Sequence, residues 1–230
     1  MSKITLAKYI GDRPVEPIDH KTPGGPFVTI SRQYGCGAFY LGQLLVEILN
    51  KKAKPERLWK IYNKYILKQI ADETNITIEM LDKELETKSN FFLGFLRSLS
   101  DSQIPSRAHI RHLTTLLIRK IALHGNAVIV GQAGVMATVE LPRGLAVRLE
   151  APEEWRIDQV VARGDLNLAA ARELVRRKDQ EREYVQKIYQ EMKPHRAAFH
   201  VVYDCSVFDL DQIAQQIIFA LKLKGYLEKA

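Results

Sequence analysis

The sequence predicts an α/β protein built on a parallel sheet, and three observations carry that prediction. Short apolar runs rich in β-branched residues, of the kind buried on both faces of such a sheet, stand at Phe27–Ile30, Ala127–Val130, Leu145–Leu149 and Val201–Tyr203. Each is followed by a pattern of helical period, so the strands must be joined by right-handed crossovers, with ligands expected at their carboxyl ends. The first run breaks at Gly35-Cys36-Gly37 and passes directly into a helix. At 230 residues and 46% hydrophobic content the chain buries a full core, as one domain or as one core with an inserted subdomain.

Taken in order, residues 1–26 carry four prolines and the cluster Pro23-Gly24-Gly25-Pro26, and read as an arm or packed extension without chemistry of its own. After the glycine turn, Leu41, Leu44, Leu45, Ile48 and Leu49 recur at helical spacing as far as Asn50. A charged, proline-bearing connection, Lys51–Arg57, leads to a short strand at Leu58–Tyr62. Helical patterns follow at Lys64–Glu73 and Thr77–Glu86, the second with Thr77 as N-cap. The Phe91–Leu96 patch then reads as a small core under a lid or as the contact of a homodimer.

Arg107–His124 predicts a long helix with Ile110, Leu113, Leu117 and Ile121 inward, and Arg107 and Arg111 share one face at its start. The strand Ala127–Val130 ends in Gly131-Gln132-Ala133-Gly134. Glu153–Arg163 and Leu168–Gln190 are helical and strongly charged. Asp211–Leu223 closes the chain as an amphipathic helix with Ile213, Ile217, Ala220 and Leu221 inward.

Charge and composition narrow the function classes. No apolar run is long enough to span a bilayer and the amino terminus lacks a signal-peptide core, so a cytoplasmic location is expected, with no membrane partner. Cys36 and Cys205 fit a reducing compartment and form no metal-ligand spacing, so no protein metal site is expected. The net charge of +7 is spread along the chain, often beside acids as in Lys178-Asp179 and Glu181-Arg182, without an aromatic-interleaved basic stripe. That distribution argues against nucleic acid and suits a phosphate-rich small molecule.

A strand-to-helix glycine turn aims backbone N–H groups and the positive helix end at one point, which suits phosphate. The standard phosphate loop ends in Gly-Lys-Ser/Thr. Here Ala38 stands at the lysine position, Phe39 at the hydroxyl position and Arg32 at the loop's first glycine position, leaving only the backbone cradle of Gly35, Cys36, Gly37, Ala38 and Phe39. On the residues alone, a phosphate cradle and an ordinary strand-to-helix turn both remain open.

Five segments taken together resemble the cytidylate-kinase-like family, a branch of the P-loop nucleoside monophosphate kinases. They are VTISRQYGCGAFYLGQLLVEIL from Val28, AVIVGQAG from Ala127, LAVRLEAPEEWRIDQVV from Leu145, RRKDQEREYVQKIY from Arg176 and YDCSVFDLDQIAQQI from Tyr203. The resemblance spans residues 27–223, leaving 224–230 as a tail. It implies a five-stranded parallel sheet flanked by helices, a helical acceptor-binding insertion at about 63–123 and a short lid at about 163–189. The implied reaction moves the γ-phosphoryl of ATP, with Mg2+ held mainly through ATP and water, to a pyrimidine monophosphate such as CMP.

Two anions brought together need converging cations, and forked guanidinium groups grip phosphate bidentately. Arg177 and Arg182 are the lid candidates, with Asp179 positioning one of them. Arg163 would reach the same phosphates or lie along the adenine. Arg107 and Arg111 would hold the acceptor phosphate, and Arg32, leaning over the cradle, would supply the missing lysine's charge. Each has the alternative of an ordinary surface arginine. Against cytidylate kinases proper, Val130 stands where an aspartate ends the strand. Gln132-Ala133 replaces an Arg-Asp pair, which leaves Gln132 as the substrate-binding candidate there. A catalytically degenerate nucleotide-binding or protein-interaction module is therefore the second reading.

Overall fold

The computed structural model describes residues 25–63, 105–131, 133–164, 166–192 and 199–227. The helices expected at Lys64–Glu73 and Thr77–Glu86, the Phe91–Leu96 patch and Gln132 lie outside them, as do most of the expected insertion and residues 1–24 of the extension.

Five parallel strands form one sheet in the order β2-β3-β1-β4-β5: β1 Phe27–Arg32, β2 Lys60–Tyr62, β3 Ala127–Val130, β4 Gly144–Glu150 and β5 Val201–Asp204. β1 is central, with Phe27 opposite Ala127 on one side and Gly144 on the other. The chain leaves β1 toward the β2 edge, returns through β3, and then jumps over β1 to β4. The crevice where that direction reverses, at the carboxyl ends beside β1, is where such sheets bind ligands.

Alternation along the strands explains the two helical layers. Val28, Ile30, Val128, Val130, Leu145, Val147 and Leu149 share a core with Leu41 and Leu45 of α1 (Ala38–Asn50) and Ile213 and Ile217 of the carboxyl-terminal helix (Leu210–Leu223). Each fully buried aliphatic side chain there contributes about 2 kcal/mol. The other face meets α2 (Pro105–His124) and the short α3 (Gly134–Thr138). α4 (Glu153–Arg163) and α5 (Leu168–Met192) pack on each other through Ile157, Ala171 and Val175, with Tyr34 against them, and α6 is the carboxyl-terminal helix.

The elements fall where their periodicity predicts, with differences that have local causes. β2 begins at Lys60 rather than Leu58, because Pro55–Arg57 is a 3-10 turn and the Asn50 side chain holds both backbone groups of Trp59, at 3.0 and 2.7 Å. β1 runs on to Arg32, whose partner is Leu149. α6 starts at Leu210 because Asp209 is its N-cap, in a reciprocal capping box with Gln212. In that helix Ala214 is buried, and Ala220 only half-buried. The tail after it docks through Tyr226, whose carbonyl accepts from Arg143 at 3.4 Å. No helix among the described residues is long and apolar enough to cross a membrane.

Candidate active site

The glycine turn lies at the carboxyl end of β1. Gly35 and Gly37 take φ of 99° and 65°, backbone that a side chain resists, and Gly37 is the N-cap of α1. Cys36 between them is buried against Cys205, as a small residue filling a tight turn should be. Among the described residues, the N–H groups of Gly35, Cys36 and Gly37 meet no protein acceptor. They stand at the positive end of a 13-residue helix. Such a turn is chemically an anion receptor.

Tyr34, the residue immediately before Gly35, is tied down by α4 and α5. The N–H of Tyr34 donates to Asp179 Oδ1 at 2.7 Å, and Arg156 Nη1 donates to the Tyr34 carbonyl at 3.1 Å. Arg156 also pairs with Asp179 Oδ2, and its Nε donates to the Ala151 carbonyl at 2.9 Å. Arg156 is 4% exposed, so the ion pair it makes is desolvated, and the bonds from Nε and Nη1 to two backbone carbonyls help to offset that cost. Asp179 also holds Arg182, at 3.3 Å, and in doing all this it latches α5 to the turn.

Around this latch the predicted arginines divide. Arg163 Nη1 donates to the Gly35 carbonyl at 3.0 Å, its Nη2 is 3.2 Å from Gln159 Oε1, and its guanidinium stacks 5.5 Å from the Tyr40 ring centroid. A Cβ at Gly37 would come within 3.3 Å of its Nη2. Arg182 lies over the Tyr34 ring at 5.3 Å. Arg32 extends across to the next turn, where a Cβ on Gly131 would stand 1.8 Å from its Nη1. Burial, then the like charges of Arg182 and Arg148, push its titration down to about 10, so it remains a cation at neutral pH. Among the described residues no carboxylate pairs with it.

Arg177 is not brought to this group. Its side chain is exposed, because Val175, Asp179 and Arg182 make the inward stripe of α5 at helical spacing and position 177 falls on the opposite face. Arg107 and Arg111 lie within the first turns of α2, but their side chains fall outside the described ones, as Gln132 does. Ala38 and Phe39 begin α1, with Ala38 buried and Phe39 at the surface beside Tyr40.

Two arginines were missed in the sequence. Arg148 is 8% exposed on β4, bonded to Glu150 Oε1 at 3.0 Å and Ser31 Oγ at 3.1 Å, with its guanidinium 5.5 Å from the Phe199 ring. Arg156 sits on the stripe of α4 that carries Ile157, Val160 and Val161. The available signal was the same for both, a charge set inside an apolar strand or an apolar stripe.

The fit to magnesium is poor. The loop hydroxyl is replaced by Phe39, the strand-end carboxylate by Val130, and the described residues contain no cluster of three His, Cys, Asp or Glu side chains able to hold a metal. Any magnesium ion would have to enter with its own phosphate and water ligands.

A model of the cytidylate kinase-like family matches residues 27–207. Among solved structures, the chain is similar to an uncharacterized protein from Eubacterium ventriosum, at 18% identity over 86% of this chain and 98% of that chain, with a TM-score of 0.61. Shikimate kinase from Bacteroides thetaiotaomicron is similar at 10% identity over 86% and 98% of the two chains, with a TM-score of 0.47. No match was found among curated proteins. The first of these structural likenesses shows the fold, in agreement with the strand order above.

Proposed function

We propose that this chain, which belongs to the cytidylate kinase-like family, catalyses ATP-dependent phosphoryl transfer to a nucleoside monophosphate, with a pyrimidine nucleotide such as CMP as the acceptor. The observation that carries this reading is a partly buried, carboxylate-free Arg32 reaching to Gly131, near a turn whose N–H groups meet no protein acceptor among the described residues. Arg148 and Arg182 are already balanced by Glu150 and Asp179, so Arg32 is the cation left to be neutralised, and an incoming phosphate would do that.

In this reading the N–H groups of Gly35, Cys36 and Gly37 hold the donor's phosphates and Arg32 supplies the charge that a lysine at position 38 would supply. Arg182 is aimed by Asp179, and Arg163, fixed on Gly35 and Tyr40, neighbours the same anion. Arg107, Arg111 and Gln132 are assigned to the acceptor. An oxygen of the acceptor phosphate attacks the γ-phosphorus in line, the bond to the bridging oxygen breaks, and ADP leaves with that oxygen's charge. No side chain becomes a covalent nucleophile. Catalysis is alignment and electrostatic stabilisation of the charge spread over the transferring group.

A coupled assay of ADP release across the common nucleoside monophosphates tests this, with Arg32→Ala as the control for background. Turnover with one acceptor class, lost in the variant, is the expected result, and absence of turnover with every acceptor by folded protein defeats it. One observation favours a noncatalytic nucleotide-binding module instead. The Tyr34 N–H, the donor next to the turn, is already taken by Asp179. Calorimetry with ATP and magnesium separates the two readings, since the module binds without turnover.

A further inference from the structure

Two thiols meet beneath the glycine turn, and phosphoryl transfer uses neither. Cys36 is the middle residue of the turn and Cys205 directly follows β5; both are free and buried in one core cluster. The Cys205 thiol donates to the Cys36 carbonyl oxygen at 3.8 Å, which brings the two residues into direct contact. A residue chosen only to fill a tight turn has no need of a second sulfur brought from 169 positions away in sequence. Gly35 and Gly37 flank Cys36, and Cys205 opens the turn that ends β5.

The surroundings make the two sulfurs unequal. The hydrogen bond from Cys205, and then the charges of Arg156 and Arg148, hold the Cys36 thiol below its ordinary value against the opposing pull of burial and Asp179. Cys205 moves the other way, because its proton is committed to Cys36 and burial disfavours its thiolate. Of the two, Cys36 is the more acidic thiol.

We propose that Cys36 and Cys205 form a redox modification site at which a hydroperoxide drives a disulfide that staples the glycine turn to the end of β5. The Cys36 thiolate attacks one peroxide oxygen; the O–O bond breaks, an S–O bond forms, and the peroxide is reduced to hydroxide, which takes up the proton lost by the thiol. The Cys205 sulfur then attacks the Cys36 sulfenic acid. The S–S bond forms, the S–O bond breaks, and the departing hydroxide leaves as water with the Cys205 proton. Closing the sulfurs to the disulfide length of about 2.05 Å requires rotation of both side chains and a shift of the turn. In a reducing compartment a cellular dithiol reverses the bond, as befits a transient signal rather than a structural bridge.

The test treats the reduced full-length chain with hydrogen peroxide. Peptide mapping without reductant is expected to find Cys36 joined to Cys205, reversed by dithiothreitol. Cys205→Ser should stop at a sulfenic acid trapped by dimedone, and Cys36→Ala, a small residue the turn accommodates, should leave Cys205 unreacted. Amide hydrogen exchange across residues 33–38 should slow in the oxidised chain, and its melting temperature should rise by about 5 °C. Recovery of sulfinic acid without the cross-link, or a cross-link that appears only in urea, overturns the proposal. So does a cross-link that leaves exchange in the turn unchanged. Nucleotide binding is measured separately on the reduced chain, so its absence counts against the kinase reading and does not bear on the thiol chemistry.

Discussion

The molecule contains the same backbone device twice, and only one copy has the surroundings of a site. After β1 the turn at Gly35–Gly37 enters α1 through a left-handed N-cap at Gly37 with φ of 65°. After β3 the turn at Gly131–Gly134 enters α3 through a left-handed N-cap at Ala133 with φ of 56°. The first turn faces Arg163, lies beside Arg156, Asp179 and Arg182, and opens a helix of 13 residues. The second opens a helix of 5 residues, all buried, which closes on itself when Thr138 Oγ1 donates to the Gly134 carbonyl at 2.7 Å. Loop conformation alone therefore does not make a phosphate site. What sets the first turn apart is the set of charged groups delivered to it from distant elements, and the second turn is reached by Arg32, which extends across to Gly131.

The comparison breaks most sharply at Arg156. Arg156→Ala leaves the Asp179 carboxylate without its buried partner, and should cost about 3 kcal/mol of stability in urea unfolding. A loss no larger than that of an average surface substitution would mean the first turn does not depend on its latch. Arg32→Ala should lower the phosphoryl-transfer rate about 100-fold with little change in the unfolding midpoint, while Arg32→Lys keeps part of the rate. Arg177→Ala, by contrast, should leave both unchanged, since its side chain faces away from the mouth.

The glycines separate the two turns next. In Gly35→Ala the new Cβ meets the Arg156 Cβ and carbonyl oxygen, each 2.8 Å away, at a φ of 99°, so backbone as well as side chain must yield, for about 2 kcal/mol. In Gly131→Ala the obstruction is the tip of Arg32, which can swing out. Stability should fall by only about 1 kcal/mol from the strained φ, while activity falls as it does in Arg32→Ala. The smallest effect is on pH. The hydrogen bond from Arg172 holds the Glu154 carboxyl below its ordinary value of 4.5. The stabilisation of that pair is complete above about that value and is lost as pH falls through the lower folded value. Glu154→Gln should flatten the acid limb of the stability profile slightly in a thermal-melt series.

How much of this was legible in the sequence follows from the range of the forces involved. The strands and long helices could be read because apolar periodicity is local, and Leu41 with Leu45, or Ile213 with Ile217, announces its inward face within one turn. Arg163, Asp179 and Arg182 were candidates on the charge demands of phosphate together with the family resemblance, and the structure gathers them beside the turn. Arg177 was drawn in with them because adjacency in sequence hides the rotation of about 100° between neighbours on a helix. Arg148 and Arg156 escaped because their partners, Ser31 and Tyr34, belong to a strand and turn more than a hundred residues away. The α3 helix was overlooked for the opposite reason, since 5 residues are too few to display a period.

One consequence of the contact between Asp179 and the Tyr34 amide reaches beyond stability. Because a single carboxylate holds the approach to the turn, the buried Arg156 and the aromatic-stacked Arg182 together, these parts cannot rearrange one at a time. A guest that draws Asp179 away from that amide therefore also disturbs its grip on Arg156 and Arg182, the one buried and the other stacked on Tyr34.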